Sequence, residues 1–365
     1  MTNPEIKPSK FIQAIEPYKI TPQDVWSDLA PKDLLKLDWN EAPEDLTVYL
    51  KGLKKIVSER GHLSWYPDYL SLELTNIIAE FNGIPANNVL TFPGSDVGLE
   101  TLCRTYLDPE DEVVVLTPTY ENFFIYVLQT GAKLVELKLE KPFKFNLQDV
   151  ISRIENGGKT KILYLVRPNN PCGYMISKED IIHLSSTFPE TLIVVDEAYI
   201  EFSENSSMAE FIDSYSNIVC FRTFSKAFGL AGLRLGYMCA PESVIRNVNK
   251  IRNGKNVTMI AQKMGIFALK NFLTIEKWIN EVISSREMFC KWCEINEIKH
   301  YPSKGNFVLF EVRKPNELHS HLKSLGIYIR NRSSLIQSAV RVTIGSKKNT
   351  QRLIKALESM PQLLK

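Results

Sequence analysis

The chain has 365 residues, 44% of them apolar and 24% charged, with a formal net charge of +2. It is long enough to bury a sizeable core, and near neutrality it carries neither the basic field of a nucleic-acid binder nor a cationic membrane face. No run of about 18 apolar residues occurs, and the opening Met1-Thr2-Asn3-Pro4-Glu5 has no apolar signal region, so a cytoplasmic protein is expected.

Residues 1–36 are polar with short apolar patches and read as an N-terminal arm with short helices. Leu37-Asp38-Trp39-Asn40-Glu41-Ala42-Pro43 follows as a turn into Pro43, and Trp65-Tyr66-Pro67-Asp68 precedes a helix over 71–82. Residues 88–92 read as a short strand. Pro93-Gly94-Ser95-Asp96 then opens a helix over 97–107. Glycine permits a close approach there, and the free N–H groups of a helix start attract an anion; the plainer role is an N-cap by Ser95 or Asp96.

The apolar run 112–117 reads as a strand buried on both faces, ended by Pro118-Thr119-Tyr120. A strand is expected over 132–137, then a helix with its lead-in over 143–156. Residues 161–166 form another apolar strand that runs into Arg167-Pro168-Asn169-Asn170-Pro171-Cys172-Gly173. Residues 191–196 make a strand ending in Asp196-Glu197-Ala198-Tyr199, where Asp196 is either a functional acid or a cap for the next helix.

The run Ile218-Val219-Cys220-Phe221 leads into Thr223-Phe224-Ser225-Lys226-Ala227-Phe228-Gly229, with Arg234 eight residues beyond Lys226. A lysine among apolar residues loses solvation, which disfavours its ammonium form, and a neutral amine can attack a carbonyl. Thr223, Ser225 and Arg234 suit a phosphate. An aldehyde and a phosphate on one molecule point to pyridoxal 5'-phosphate.

The chain continues through 241–250, and helices are expected over 258–272 and 275–296. Cys290 and Cys293 form a C-x-x-C inside the last of these, and no second pair completes zinc spacing, so the six cysteines read as free thiols and no metal site is expected. Strands over 305–310, 326–330 and 339–345, with a helix over 317–325, complete the chain. Strands alternating with helices make a mostly parallel sheet with helices on both faces. Gly94, Tyr120, Asn170, Asp196 and Lys226 fall at or beyond strand ends, where such sheets bind ligands.

In matching order from Leu37 to Gly345, these motifs resemble those of the fold-type I, class I and II aminotransferases, and within them the histidinol-phosphate aminotransferase group. The resemblance implies an α/β fold with a large cofactor-binding domain (44–271) and a small α+β domain (1–43 with 272–365). It implies that Lys226 carries pyridoxal 5'-phosphate, that Asp196 faces the pyridine nitrogen and that Tyr120 stacks on the ring. Asn170 and Tyr199 would reach the 3'-oxygen. Ser95, Asp96, Thr223, Ser225 and Arg234 would bind the phosphate, joined by Tyr66 from the second subunit of a homodimer.

Asn40 lies in the element that passes over the substrate, where Ala42 departs from the family pattern, as Arg167 and Cys172 do in theirs. Arg341 would clamp a substrate carboxylate. Arg330, with Tyr18, would take the phosphate of the other substrate; the neighbouring Arg332 either shares that task or is exposed, and exposure at the surface is the alternative for Arg330 too. The implied reaction is amino transfer between glutamate and a small phosphorylated ketone in histidine synthesis. Transfer to dihydroxyacetone phosphate, or decarboxylation of a phosphorylated amino acid, are the alternatives.

Overall fold

Among the described residues, twelve strands form two sheets. The computed structural model describes residues 6–17, 24–26, 33–60, 64–204 and 207–365. In chain order the strands are β1 (Leu35–Leu37), β2 (Val89–Phe92), β3 (Glu112–Thr117), β4 (Lys133–Lys138), β5 (Thr160–Val166) and β6 (Leu192–Asp196). They continue with β7 (Ile218–Thr223), β8 (Gly236–Cys239), β9 (His300–Tyr301), β10 (Phe307–Glu311), β11 (Ile327–Asn331) and β12 (Ala339–Thr343).

The larger sheet has the order β2-β8-β7-β6-β5-β3-β4. It is parallel from β7 to β4, and β8 runs antiparallel to both its neighbours. The apolar runs of β3, β5, β6 and β7 are buried almost end to end. Successive side chains of a strand point to opposite faces. Thus Val113, Val115, Tyr164, Val194 and Val219 enter one apolar cluster, and Val114, Leu163, Leu165, Ile193 and Ile218 enter the other. The edge strand β4 carries Lys133, Glu136 and Lys138, charges that discourage a further strand from pairing.

The smaller sheet has the order β1-β11-β12-β10-β9, parallel only at β1 with β11. A 24-residue helix, Phe272–Ile295, buries Ile275, Trp278, Ile279, Val282, Phe289 and Trp292. That three-and-four spacing is the core-facing stripe of an amphipathic helix. Arg286 on this helix donates to Phe202 O (3.1 Å) and Gly305 O (2.8 Å), tying the two parts of the chain together.

Several expectations change. The helix after β2 runs Ser95–Tyr106, and its N-cap is Gly94 at φ 84°, so neither Ser95 nor Asp96 caps it. Helices at Thr47–Arg60, Asn122–Leu128, Lys178–Thr187, Glu242–Val248 and Lys347–Glu358 were not foreseen, nor were β1, β8 and β9. Cys290 and Cys293 do lie on a helix, all six thiols are free, and no metal-binding cluster occurs among the described residues. No described helix is long and apolar enough to cross a membrane.

Candidate active site

The strand order turns back between β3 and β5, since β4 lies on one side of β3 and β5 on the other. Such a reversal leaves a crevice beyond the carboxyl ends of the strands. A cavity of about 420 Å³ opens there, walled by the ends of both sheets. It gathers Tyr120 after β3, Asn170 after β5, Asp196 and Tyr199 at and after β6, and Thr223, Ser225 and Lys226 at and after β7.

Lys226 projects into the cavity because its neighbours anchor the loop. Phe224, Ala227 and Phe228 are fully buried, and the turn closes through Phe224 N–H to Leu235 O and Gly229 N–H to Lys226 O. The Lys226 amine donates to Trp39 O at 2.8 Å. Loss of solvation inside the pocket lowers its pKa from 10.5 to about 8, opposed by the negative charge of Glu41 and assisted by Arg341. An amine so placed is in part neutral near physiological pH.

Asp196 is buried at the end of β6. Its Oδ2 accepts from the Tyr164 hydroxyl at 2.7 Å and its Oδ1 from Ala198 N–H at 3.1 Å. Burial raises its pKa to about 6, even though both donors favour the charged form. Tyr164 is held by stacking on Phe123, with centroids 3.8 Å apart. Behind Asp196, Arg167 and Glu197 form a fully buried ion pair at 2.7 Å. Glu197 also accepts from Met208 N–H, the Ser207 hydroxyl and Cys220 Sγ.

Tyr199 presents its hydroxyl between two amides, Asn170 Nδ2 and Asn40 Nδ2, each donating at 3.2 Å. Asn40 sits at φ 56°, a left-handed conformation that asparagine tolerates. There its N–H reaches Thr343 Oγ1 at 2.9 Å, and its carbonyl accepts from Asn306 Nδ2 at 3.0 Å.

A second cluster lies where the helix Ser95–Tyr106 begins. Arg234, at φ 48°, turns its guanidinium toward Ser225 Oγ (3.2 Å) and Asp96 Oδ2 (3.3 Å). Thr223 Oγ1 lies 3.0 Å from Ser225 Oγ. The Tyr120 hydroxyl donates to Asp96 Oδ1 at 2.8 Å, which fixes the ring at the cavity wall. Gly236 makes the cluster possible, because a Cβ there would lie 2.4 Å from Ser95 N. Helix-start N–H groups, two hydroxyls and a guanidinium are a donor set for a phosphate. With an amine of lowered pKa and a carboxylate in the same cavity, they fit pyridoxal 5'-phosphate.

The cavity lining also carries three arginines from the smaller sheet and the turn after β11. Arg330 on β11 pairs directly with Arg341 on β12, and Arg332 follows two residues on. Arg341 donates from Nη1 to Asn170 Oδ1 (2.5 Å) and from Nη2 to Asp38 O (2.7 Å). Arg332 pairs with Glu121 at 3.2 Å.

Of the residues expected at the site, the cavity thus brings together Asn40, Ser95, Asp96, Tyr120, Asn170, Asp196, Tyr199, Thr223, Ser225, Lys226, Arg234, Arg330 and Arg341. Tyr66 does not line it. It is 80% exposed, with Lys255 Nζ 4.7 Å above its ring. Tyr18 lies outside the described residues. Sequence reasoning missed Tyr164, Glu121 and the Arg167–Glu197 pairing. Tyr164 sits inside an apolar strand, where an aromatic reads as core, and the other contacts join residues far apart in the chain.

Comparison with known proteins shows the family. Residues 32–357 match the model of the family described as aminotransferase class I and II. A histidinol-phosphate aminotransferase of Methanococcoides burtonii is 34% identical over 91% of both chains. A dihydroxyacetone phosphate transaminase of Campylobacter jejuni is 33% identical over 93% of both. The histidinol-phosphate aminotransferase of Sinorhizobium meliloti, solved in complex with pyridoxal-5'-phosphate, superposes with a TM-score of 0.87 at 21% identity, covering 99% of each chain. The protein therefore belongs to the class I and II aminotransferases, the fold-type I enzymes that work with pyridoxal 5'-phosphate.

Proposed function

We propose that the protein moves an amino group between L-glutamate/2-oxoglutarate and a small phosphorylated substrate, as histidinol-phosphate aminotransferases do. The observation that carries this reading is a single cavity lined by the Lys226 amine, the Asp196 carboxylate and the three arginines Arg330, Arg332 and Arg341. Two anionic substrates would use these arginines in turn.

Bound pyridoxal 5'-phosphate supplies an aldehyde for the amine and an electron-poor ring that stabilises negative charge developing at the substrate Cα. Lys226 holds the aldehyde. Once released, its amine would take the proton from the substrate Cα and deliver it to the cofactor's aldehyde carbon C4', a role suited to a pKa of about 8. Asp196 would lie at the ring nitrogen and favour its protonated form. Tyr199 and Asn170 donate to the 3'-oxygen, and Tyr120 covers one ring face.

Thr223, Ser225, Arg234 and the N–H groups of Ser95 and Asp96 hold the phosphate. The Asp96 carboxylate is already engaged by Tyr120 and Arg234. Arg341 binds a substrate carboxylate, beside Asn40. Arg330 and Tyr18 receive the second substrate's phosphate. The exposure of Tyr66 supports a homodimer in which this ring reaches the partner's site. The two sheets support a large domain over 44–271 and a small one from 1–43 and 272–365. A cytoplasmic place in amino-acid biosynthesis goes with this reading.

The Campylobacter relative supports a second acceptor, dihydroxyacetone phosphate. Steady-state assays with glutamate against a panel of phosphorylated ketones test both. Formation of 2-oxoglutarate with one of them is expected. Release of carbon dioxide from a phosphorylated amino acid, with no amino transfer to any ketone of the panel, would overturn the proposal.

A further inference from the structure

Arg332 differs from its two arginine neighbours. It stands two residues after Arg330 and one beyond the end of β11, and both side chains line the cavity. Its backbone is fixed: the N–H donates to Ala339 O (3.0 Å), and the carbonyl accepts from Leu335 and Ile336 (3.0 and 2.8 Å). Its side chain, only 10% exposed, is held by one ion pair, Nη2 to Glu121 Oε2 at 3.2 Å. The Nε–H is buried without an acceptor among the described residues. Glu121 directly precedes the helix Asn122–Leu128, but its carboxylate makes no capping bond there. It lines the cavity as well.

We infer that Arg332 is a second ligand for the substrate's phosphate, and that Glu121 is the counter-ion from which the phosphate draws it. This rests on the phosphorylated-substrate reading and adds the device that selects for it. A buried guanidinium needs a partner, and Glu121 supplies one while the cavity holds no phosphate. A guanidinium carries five N–H donors, and this one spends few of them. A substrate carboxylate brings two oxygens and one charge. Swapping it for Glu121 would replace like with like and gain nothing. A phosphomonoester brings three oxygens and a charge near −2, so it can accept from Arg330 and Arg332 together. The pair therefore discriminates between the cavity's two anionic guests, leaving glutamate to Arg341 and Arg330.

Calorimetric titration of the cofactor-loaded protein with inorganic phosphate and with glutarate tests this. Both ligands are expected to bind the wild type. Arg332→Gln should weaken phosphate roughly 10- to 100-fold, the worth of a charge-assisted hydrogen bond, and leave glutarate within about threefold. Glu121→Gln should tighten phosphate about fivefold by removing a competing ion pair. If Arg332→Gln binds phosphate as the wild type does, or loses both ligands alike, the inference is overturned. If Arg332→Gln does not fold, Glu121→Gln decides, and unchanged or weaker phosphate binding overturns it. If the wild type binds glutarate and no phosphate, the phosphorylated-substrate reading falls first and takes the inference with it.

Discussion

Asp196 allows a stringent test, because its work with the cofactor and its cost to the empty protein pull in opposite directions. Its pKa is raised from 3.8 to about 6, with burial as the largest cause. For a carboxyl group raised in the folded state, the stabilising contribution is complete below the unfolded value and is lost as pH rises through the folded one. Ionising Asp196 in the cofactor-free protein therefore costs about 3 kcal/mol between pH 4 and pH 7. Asp196→Asn keeps the shape, an acceptor for Ala198 N–H and a partner for the Tyr164 hydroxyl, while deleting the charge. Cofactor-free Asp196→Asn should be about 2–3 kcal/mol more stable than wild type at pH 8, with the gap closing toward pH 4. Urea denaturation across that range measures it. The same variant should bind pyridoxal 5'-phosphate more weakly, since the ring nitrogen loses its anion. A gap that stays constant with pH, or a variant less stable throughout, would refute the assigned cause.

Three other outcomes are expected. Covalent attachment of the cofactor to Lys226, trapped with borohydride and counted by mass, should rise with pH around a midpoint near the lowered pKa of about 8; a midpoint near 10 would mean the pocket does not desolvate the amine. Glu197→Ala strands Arg167 in the core and should cost about 3–5 kcal/mol in urea unfolding, and a loss under 1 kcal/mol would show the pair to be dispensable. Gly236→Ala forces a Cβ against Ser95 N, so it should cost about 1–3 kcal/mol and weaken cofactor binding in equilibrium dialysis, whereas unchanged affinity would separate that turn from the phosphate.

The large sheet was legible because β3, β5, β6 and β7 are apolar runs that end in, or run directly into, polar residues at the carboxyl ends where an open α/β sheet places its ligand crevice. The antiparallel β8 was not, since Gly236–Cys239 is short and its place between β2 and β7 is a matter of strand order, which no local pattern encodes. The helix Thr47–Arg60 escaped because three lysines and a glycine blur its apolar stripe. Within the site, residues at strand ends were readable one by one. Their partnerships lay hidden. Tyr164 and Asp196 are 32 positions apart, and Arg332 and Glu121 are 211 apart. The first pairing comes from neighbouring strands of the larger sheet, the second from the packing of one sheet against the other.

The Tyr199 hydroxyl takes one amide from each side of the cavity, from Asn170 after β5 and from Asn40, which Thr343 and Asn306 hold to the smaller sheet. Arg341 closes the same circuit through Asn170. The seam between the halves of the molecule is thus sewn through the reaction centre itself. Any opening wide enough to admit or release a guest must unpick stitches that also aim the chemistry, so substitutions that loosen the seam will register as altered turnover before they register as a lower melting temperature.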